Sequence, residues 1–147
     1  MKKVLQAALA IAILVMVPLY GNAQCKGFAK KICKLELTPY IHDGNYHAAV
    51  LVEGEEAELY KTFYSDQEYR IAICGSDALP PIEFKVIDAN KNVLYDNKKN
   101  NYAKTWDFKL ESSQQLKIYV KVPSSGASPD AIQQGCVAIM FEIGRAH

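Results

Sequence analysis

The residue types best suited to chemistry in this sequence are its four cysteines, Cys25, Cys33, Cys74 and Cys136. No C-x-x-C motif occurs, and that spacing is the one expected of a thioredoxin-like redox centre or of close-set zinc ligands. A lipid anchor on Cys25 is disfavoured because Gln24 stands where lipoprotein processing requires a small residue. An even set of cysteines in a short exported chain instead predicts structural disulfides.

The segment HDGNYH, residues 42–47, holds two histidines and a carboxylate and is the best candidate for acid–base work or a metal. The pair Asp43-Gly44 reads equally well as a turn that leads into a strand. No third ligand flanks the segment and no nucleophile motif accompanies it. A hydrolase that uses His42 and His47 is therefore an alternative, and no metal or cofactor is predicted.

Asp88, Asn90 and Asn92 occupy the first, third and fifth places of a calcium-loop template. The template then fails, because Val93 stands in place of the sharp-turn glycine and Lys99 in place of the bidentate glutamate. An asparagine-rich turn is the better interpretation.

Four glutamates surround Gly54: Glu53, Glu55, Glu56 and Glu58. Glycosidases use paired carboxylates, but those pairs face each other across a cleft at about 5–9.5 Å. Acids that follow one another along a turn and a strand are more typical of an edge kept soluble and unpaired.

Tyrosines at outward-facing strand positions are the candidates for a binding surface: Tyr60, Tyr64 and Tyr119. Trp106 shares its strand parity with Phe108 and Leu110, which predicts a place in the core. The chain has no G-x-S-x-G, H-E-x-x-H, P-loop or dinucleotide-binding motif. These observations favour a non-enzymatic protein with no catalytic residues.

The chain opens with Lys2-Lys3, an apolar run from residue 4 to residue 20, and a Gly-Asn-Ala triplet. This pattern predicts a signal peptide over residues 1–23, whereas a transmembrane anchor needs about 20 apolar residues. Residues 24–147 then form one domain, periplasmic or extracellular, with no membrane insertion after cleavage. The 17 basic and 16 acidic side chains nearly balance, which gives no general attraction to nucleic acid.

The first elements of the mature chain follow from periodicity. Residues 25, 28, 29, 32 and 33 fall on one stripe of an α-helix. Such a helix separates Cys25 from Cys33 by about 12 Å along its axis, too far for a disulfide. Each helix cysteine is therefore expected to pair with Cys74 or Cys136, and the sequence leaves open which pairs with which.

From residue 47 onward the pattern becomes alternating, with turn residues every eight to twelve positions. We predict strands over residues 47–52, 56–64, 67–74, 82–88, 92–96, 105–110, 116–122 and 136–143. The predicted fold is all-β: an antiparallel, jelly-roll-like sandwich of about eight strands with a short N-terminal helix held by disulfides. Residues 97–102 and 123–134 are expected to be the mobile connections.

The stretches CKGFAKKIC, PYIHDG, TFYSDQEYRI and GCV resemble those of an uncharacterised family of small exported Gram-negative proteins. Residues 53–74 are also similar to part of the bacterial pre-peptidase C-terminal domain, a jelly-roll-like β-sandwich found on secreted proteases. The resemblance implies an exported β-sandwich and no established activity.

The sequence thus predicts an exported, non-enzymatic binding or accessory domain. Its partner is expected to be another envelope or secreted protein, or a glycan. A glycan-binding module is the first alternative, and the hydrolase is the second. The identity of the ligand and the oligomeric state stay open.

Overall fold

The computed structural model describes residues 24–33, 41–124, 126 and 132–144, so the predicted signal peptide lies outside the described residues. Within these ranges a short helix, α1, covers residues 24–31, and no helix is long and apolar enough to span a bilayer. The strands are β1 Ile41–His42, β2 His47–Val52, β3 Glu56–Phe63, β4 Glu68–Gly75, β5 Glu83–Ile87, β6 Val93–Asp96, β7 Thr105–Lys109, β8 Gln114–Lys121 and β9 Gln134–Ile143. All eight predicted strands are present, and β1 is an additional short one.

The strands form two antiparallel sheets. One sheet has the order β1-β9-β4-β7, with β2 also paired to β9. We call it the helix-side sheet because α1 lies on its outer face. The other has the order β3-β8-β5-β6, and we call it the open sheet. The predicted all-β sandwich is confirmed.

The core lies between the two sheets and is built from alternate residues of each strand. Phe63, Phe84 and Phe141 are its largest fully buried side chains. Trp106, predicted to lie in the core, is half-buried at its margin, stacked between Tyr95 and Phe108 with ring centroids 5.0 and 4.5 Å away. This stack closes the side of the sandwich where β6 and β7 are the edge strands.

Two disulfides fix α1 to the helix-side sheet. Cys25 bonds Cys136 on β9, and Cys33 bonds Cys74 on β4, with Cα–Cα separations of 5.2 and 5.7 Å. The prediction that each helix cysteine pairs with a distant strand cysteine is confirmed, and the structure supplies the pairing that the sequence left open.

A second, smaller core lies between α1 and the sheet. Its buried members are mostly small residues: Ala29, Cys33, Ala72, Cys74, Ala138 and Met140. Alanine on both surfaces allows the helix backbone to approach the strands closely. Ile32, which the helical stripe placed on this face, is instead 56 % exposed, because the helix ends at residue 31 and Ile32 lies in the turn that follows.

Candidate functional site

The outer face of the open sheet is the first candidate surface, since it carries two of the three predicted binding tyrosines. On β3 the outward residues are Glu56, Glu58, Tyr60 and Thr62, which alternate with inward ones. Tyr119 lies on the neighbouring strand β8, directly opposite Glu58, whereas Tyr60 lies opposite Lys117. Tyr60 and Tyr119 are therefore diagonal neighbours, close enough for long side chains to bind one ligand.

Tyr119 is held in a fixed environment at the centre of this face. Lys85 on β5 places its Nζ 5.8 Å from the ring centroid, a cation–π geometry. Burial first, then a hydrogen bond to the Glu56 carboxylate and the negative charges of neighbouring glutamates, raise the pKa of Tyr119 to about 12. Tyr119 is thus a neutral hydrogen-bond donor and is less exposed than its outward parity predicted, while Tyr60 is 59 % exposed.

Ion pairs link the strands across the same face. Lys117 approaches Glu58 to 3.7 Å, and Lys121 approaches Glu56 to 3.9 Å. Exposed pairs at such distances contribute about 0–1 kcal/mol each. They keep the face polar and ordered around Tyr119, and they add little to stability.

Tyr64 does not belong to this face. It follows the last residue of β3 and lies in the turn before β4, where its backbone N–H donates to the Tyr69 hydroxyl over 3.0 Å. Its side chain is 65 % exposed. The structure therefore brings Tyr60 and Tyr119 together and places Tyr64 at the end of the sandwich.

The second candidate, residues 42–47, is a loop tied to both sheets. Asp43 accepts hydrogen bonds from the Asn45 backbone N–H at 2.8 Å and from Lys61 Nζ of β3 at 3.1 Å. His42 Nδ1 accepts from the Gly44 backbone N–H at 3.0 Å. The Asp43–Lys61 pair links the helix-side sheet to the open sheet, which gives this carboxylate a structural role.

His47, the other histidine of that segment, packs edge-on against the Phe141 ring, with centroids 5.7 Å apart. Burial lowers the pKa of His47, the nearby Asp43 acts in the opposite direction, and Lys61 and His42 lower the pKa further. His47 is therefore a neutral side chain at neutral pH. Among the described residues no group of three histidines, cysteines or carboxylates could hold a metal ion.

A row of charged and polar residues crosses the helix-side sheet next to this loop. The strand register places His42 opposite Glu142, Glu142 opposite Arg70, and Arg70 opposite Asp107. Arg70 binds Asp107 in a bidentate manner, with N–O distances of 2.6 and 2.8 Å. Glu142 is buried, and it shares its face of β9 with Cys136 and Met140.

The connection after β6 is a feature that the sequence interpretation missed. Residues 97–102 were predicted to be a mobile connection, and in the structure the first of them, Asn97, is buried. Its side chain accepts from the Phe84 N–H at 2.8 Å and donates to the carbonyls of Ile82 and Ala103 at 2.8 and 3.1 Å. One amide thus satisfies three backbone groups at once, and Asn97–Asn100 form a short 3-10 helix. Its only sequence signal is an asparagine directly after the strand.

The turn that partly matched the calcium template is an asparagine-rich turn, as predicted. Asp88 Oδ1 accepts from the backbone N–H groups of Asn90 and Asn92 at 2.9 and 2.8 Å. The bond from the Asn92 N–H is the main reason that the pKa of Asp88 is lowered. The carboxylate therefore caps its own turn.

Comparison with known proteins gives a match in structure only. No family model and no curated protein matches the chain. Among solved structures, the chain is similar to PliG of Aeromonas hydrophila, a periplasmic inhibitor of g-type lysozyme, with a TM-score of 0.50 and 14 % identity. The match covers 67 % of this chain and 84 % of PliG. At this identity the likeness concerns the fold, and the two resemblances noted from the sequence stay predictions.

Proposed function

We propose that this protein is an exported, non-enzymatic domain that binds another secreted or envelope protein through the outer face of the open sheet. The observation that carries the proposal is the difference between the two outer faces. One is covered by a disulfide-bonded helix, and the other presents Tyr60 beside an ordered Tyr119. Tyrosine is enriched in protein interfaces because one side chain offers both an apolar ring and a hydroxyl.

Export is supported by the disulfides together with the leader pattern. Both pairs close between distant parts of the chain, 111 and 41 residues apart, and such bonds persist in oxidising compartments. The leader over residues 1–23 has the features of a signal peptide. The similar fold of PliG belongs to a periplasmic protein, which agrees with this location.

The binding role is supported by the bonding of the residues 42–47 segment. Asp43 is committed to Lys61 and to its own loop, and His42 Nδ1 is occupied by a backbone N–H. These contacts are consistent with a structural loop. PliG, whose fold this chain shares, acts on an enzyme as its inhibitor, and we extend that mode of action to this chain as protein binding.

The experiment is affinity capture with the disulfide-bonded protein from the secreted and periplasmic fractions of its own host. Wild type is compared with Tyr60→Ala, and the matched control is Tyr64→Ala, a tyrosine of similar exposure away from the face. We expect one protein partner at 1:1 stoichiometry, with capture lost in Tyr60→Ala and kept in Tyr64→Ala. A purified g-type lysozyme is included as a defined probe because of the fold likeness.

Two results would reject the proposal. Capture that is lost in Tyr64→Ala and unchanged in Tyr60→Ala would move the interface to the end of the sandwich. Quenching of protein fluorescence by oligosaccharides, abolished by Tyr60→Ala and unaccompanied by any protein partner, would assign the same face to a glycan.

A further inference from the structure

The two sheets part along the side of the sandwich where β2 and β3 are the edge strands. A cleft of about 360 Å³ opens there between them. It is lined chiefly by aliphatic residues from four strands: Ala49, Leu51, Ala57, Leu59, Val120, Val137 and Ile139. The Tyr95–Trp106–Phe108 stack closes the opposite side of the sandwich, so the two long sides differ in access to the core.

Small and half-exposed side chains keep this cleft open. Ala57 and Leu59 of β3 have inward parity, yet neither is fully buried. On the facing strand, Ala49 is exposed although it lies opposite the buried Val137. Larger residues at positions 49 and 57 would close the gap. Because both residues are alanine, the cleft stays open and apolar side chains of a partner can be buried in it.

The strand beside the cleft has a free edge within the described part of the chain. β3 spans eight residues, Glu56–Phe63, and all eight are in register with β8, its only strand partner there. Half of its backbone N–H and C=O groups therefore point away from the sheet. An added strand would satisfy these groups while placing every second side chain toward the cleft.

Charge indicates which strand would fit. Glu56 and Glu58 are exposed acidic residues of β3, whereas Glu55, in the turn before it, accepts a hydrogen bond from the Val52 backbone N–H at 2.9 Å. The lysines that pair with Glu56 and Glu58 belong to β8, which lies on the side of β3 opposite its free edge. A strand added at the free edge has no lysine of β8 beside it and lies next to Glu56 and Glu58, so lysine or arginine side chains on that strand complement the two carboxylates.

From the cleft, the free edge and its charge together, we propose that β3 takes up an extended segment of a partner protein as an additional strand. The segment alternates apolar residues, which enter the cleft, with basic residues, which face the glutamates. This inference rests on the proposed function and refines it, because Tyr60 lies on the same strand and an added strand would extend the face that carries it.

The test uses a fluorescein-labelled heptapeptide of alternating lysine and valine as the probe. A glutamate–valine peptide is the charge control. Two N-methylated forms, one methylated at the lysines and one at the valines, test backbone pairing, since alternate residues of a strand direct their N–H groups to opposite sides. We expect the lysine peptide to bind, the glutamate peptide not to bind, and one of the two N-methylated forms to lose binding.

Substitutions in the protein test whether the peptide binds in the cleft. Ala57→Leu fills the cleft from β3, Ala49→Leu fills it from β2, and Thr62→Leu is the matched control, an outward position on the same strand. We expect about tenfold or greater weakening of peptide binding in the first two and none in Thr62→Leu. Amide exchange across residues 56–63 should slow when the peptide binds. Far-UV circular dichroism confirms that each variant is folded before binding is measured.

Three results would overturn the inference. Equal binding of the parent peptide and both N-methylated forms contradicts strand addition. Equal affinity of Ala57→Leu and Thr62→Leu contradicts use of the cleft. Binding of dodecanoate in the cleft with no binding of the lysine peptide would assign the cleft to an acyl chain.

The inference and the proposed function fail separately. If partner capture depends on Tyr60 but is unchanged by Ala57→Leu and Ala49→Leu, the strand inference is wrong and the binding function stands. If the peptide binds as described but capture is independent of Tyr60, the cleft is a binding site and the proposed interface is wrong.

Discussion

The two sheets share one core but differ on their outer faces, and this difference separates what stabilises the protein from what is available to a partner. On the helix-side sheet, β4 and β9 are buried on both faces at their centres, because α1 packs against Ala72, Ala138 and Met140. On the open sheet, β8 alternates between buried and half-exposed residues. A strand that is apolar on both faces requires a cover, whereas an alternating strand leaves one face to solvent.

The largest expected effect on stability comes from removing the disulfides that hold α1 on the helix-side sheet. Replacing Cys25 and Cys136 by alanine should lower the free energy of unfolding by about 5 kcal/mol, and replacing Cys33 and Cys74 by about 4 kcal/mol, since the loops closed differ in length. Urea unfolding followed by the fluorescence of the single tryptophan measures both. A loss under about 1 kcal/mol in either pair would contradict a chain-restraining role.

The next effect concerns packing beneath the helix. Met140 of β9 is fully buried beneath α1, so Met140→Ala should lower the free energy of unfolding by about 2–5 kcal/mol. The matched substitution on the open face, Lys117→Ala, should cost within about 0.5 kcal/mol. Thermal and urea unfolding of the two variants check this, and equal losses would show that the two faces do not differ.

A smaller effect follows from Tyr119 on the open face. Because its folded-state pKa is raised to about 12, above its ordinary value, the stabilisation is fully present below about pH 10 and is lost as pH rises toward 12. Wild type should therefore lose its stability advantage over Tyr119→Phe between about pH 10 and 12. Melting temperatures at several pH values measure this difference, with Tyr60→Phe as the control. A pH-independent difference would contradict the raised pKa.

The smallest expected effect on stability is that of Tyr60→Ala. The side chain is mostly exposed, so the free energy of unfolding should change by no more than about 0.5 kcal/mol. The same variant should lose partner capture, which is a functional loss without a structural one. A destabilisation above about 1.5 kcal/mol, measured by urea unfolding, would show instead that Tyr60 serves the fold.

Much of this architecture follows from local patterns. Alternation predicts the eight longer strands, and the helical spacing of Cys25 and Cys33 excludes a bond between them. Strand parity likewise predicts that Tyr60 and Tyr119 point outward, and the pairing of β3 with β8 places them on one face. These features depend on residues close in sequence, where the strand and helix periods act directly.

The remaining features depend on contacts between distant segments. The pairing of Cys25 with Cys136 depends on how α1 crosses the sheet, and burial of Glu142 depends on what covers β9. Asn97 orders its loop only because Ile82 and Phe84 of another segment lie within reach. The cleft between β2 and β3 likewise arises from the relative position of two sheets, which no local pattern encodes.

The most direct test of the central claim is photo-cross-linking from each outer face. The photoreactive residue p-benzoylphenylalanine replaces Tyr60 on the open face and, in a second protein, Lys30 on the exposed side of α1. Both proteins are irradiated in the same secreted and periplasmic fractions. We predict one discrete cross-linked partner from position 60 and none from position 30. The same partner captured from position 30, with none from position 60, would contradict the account.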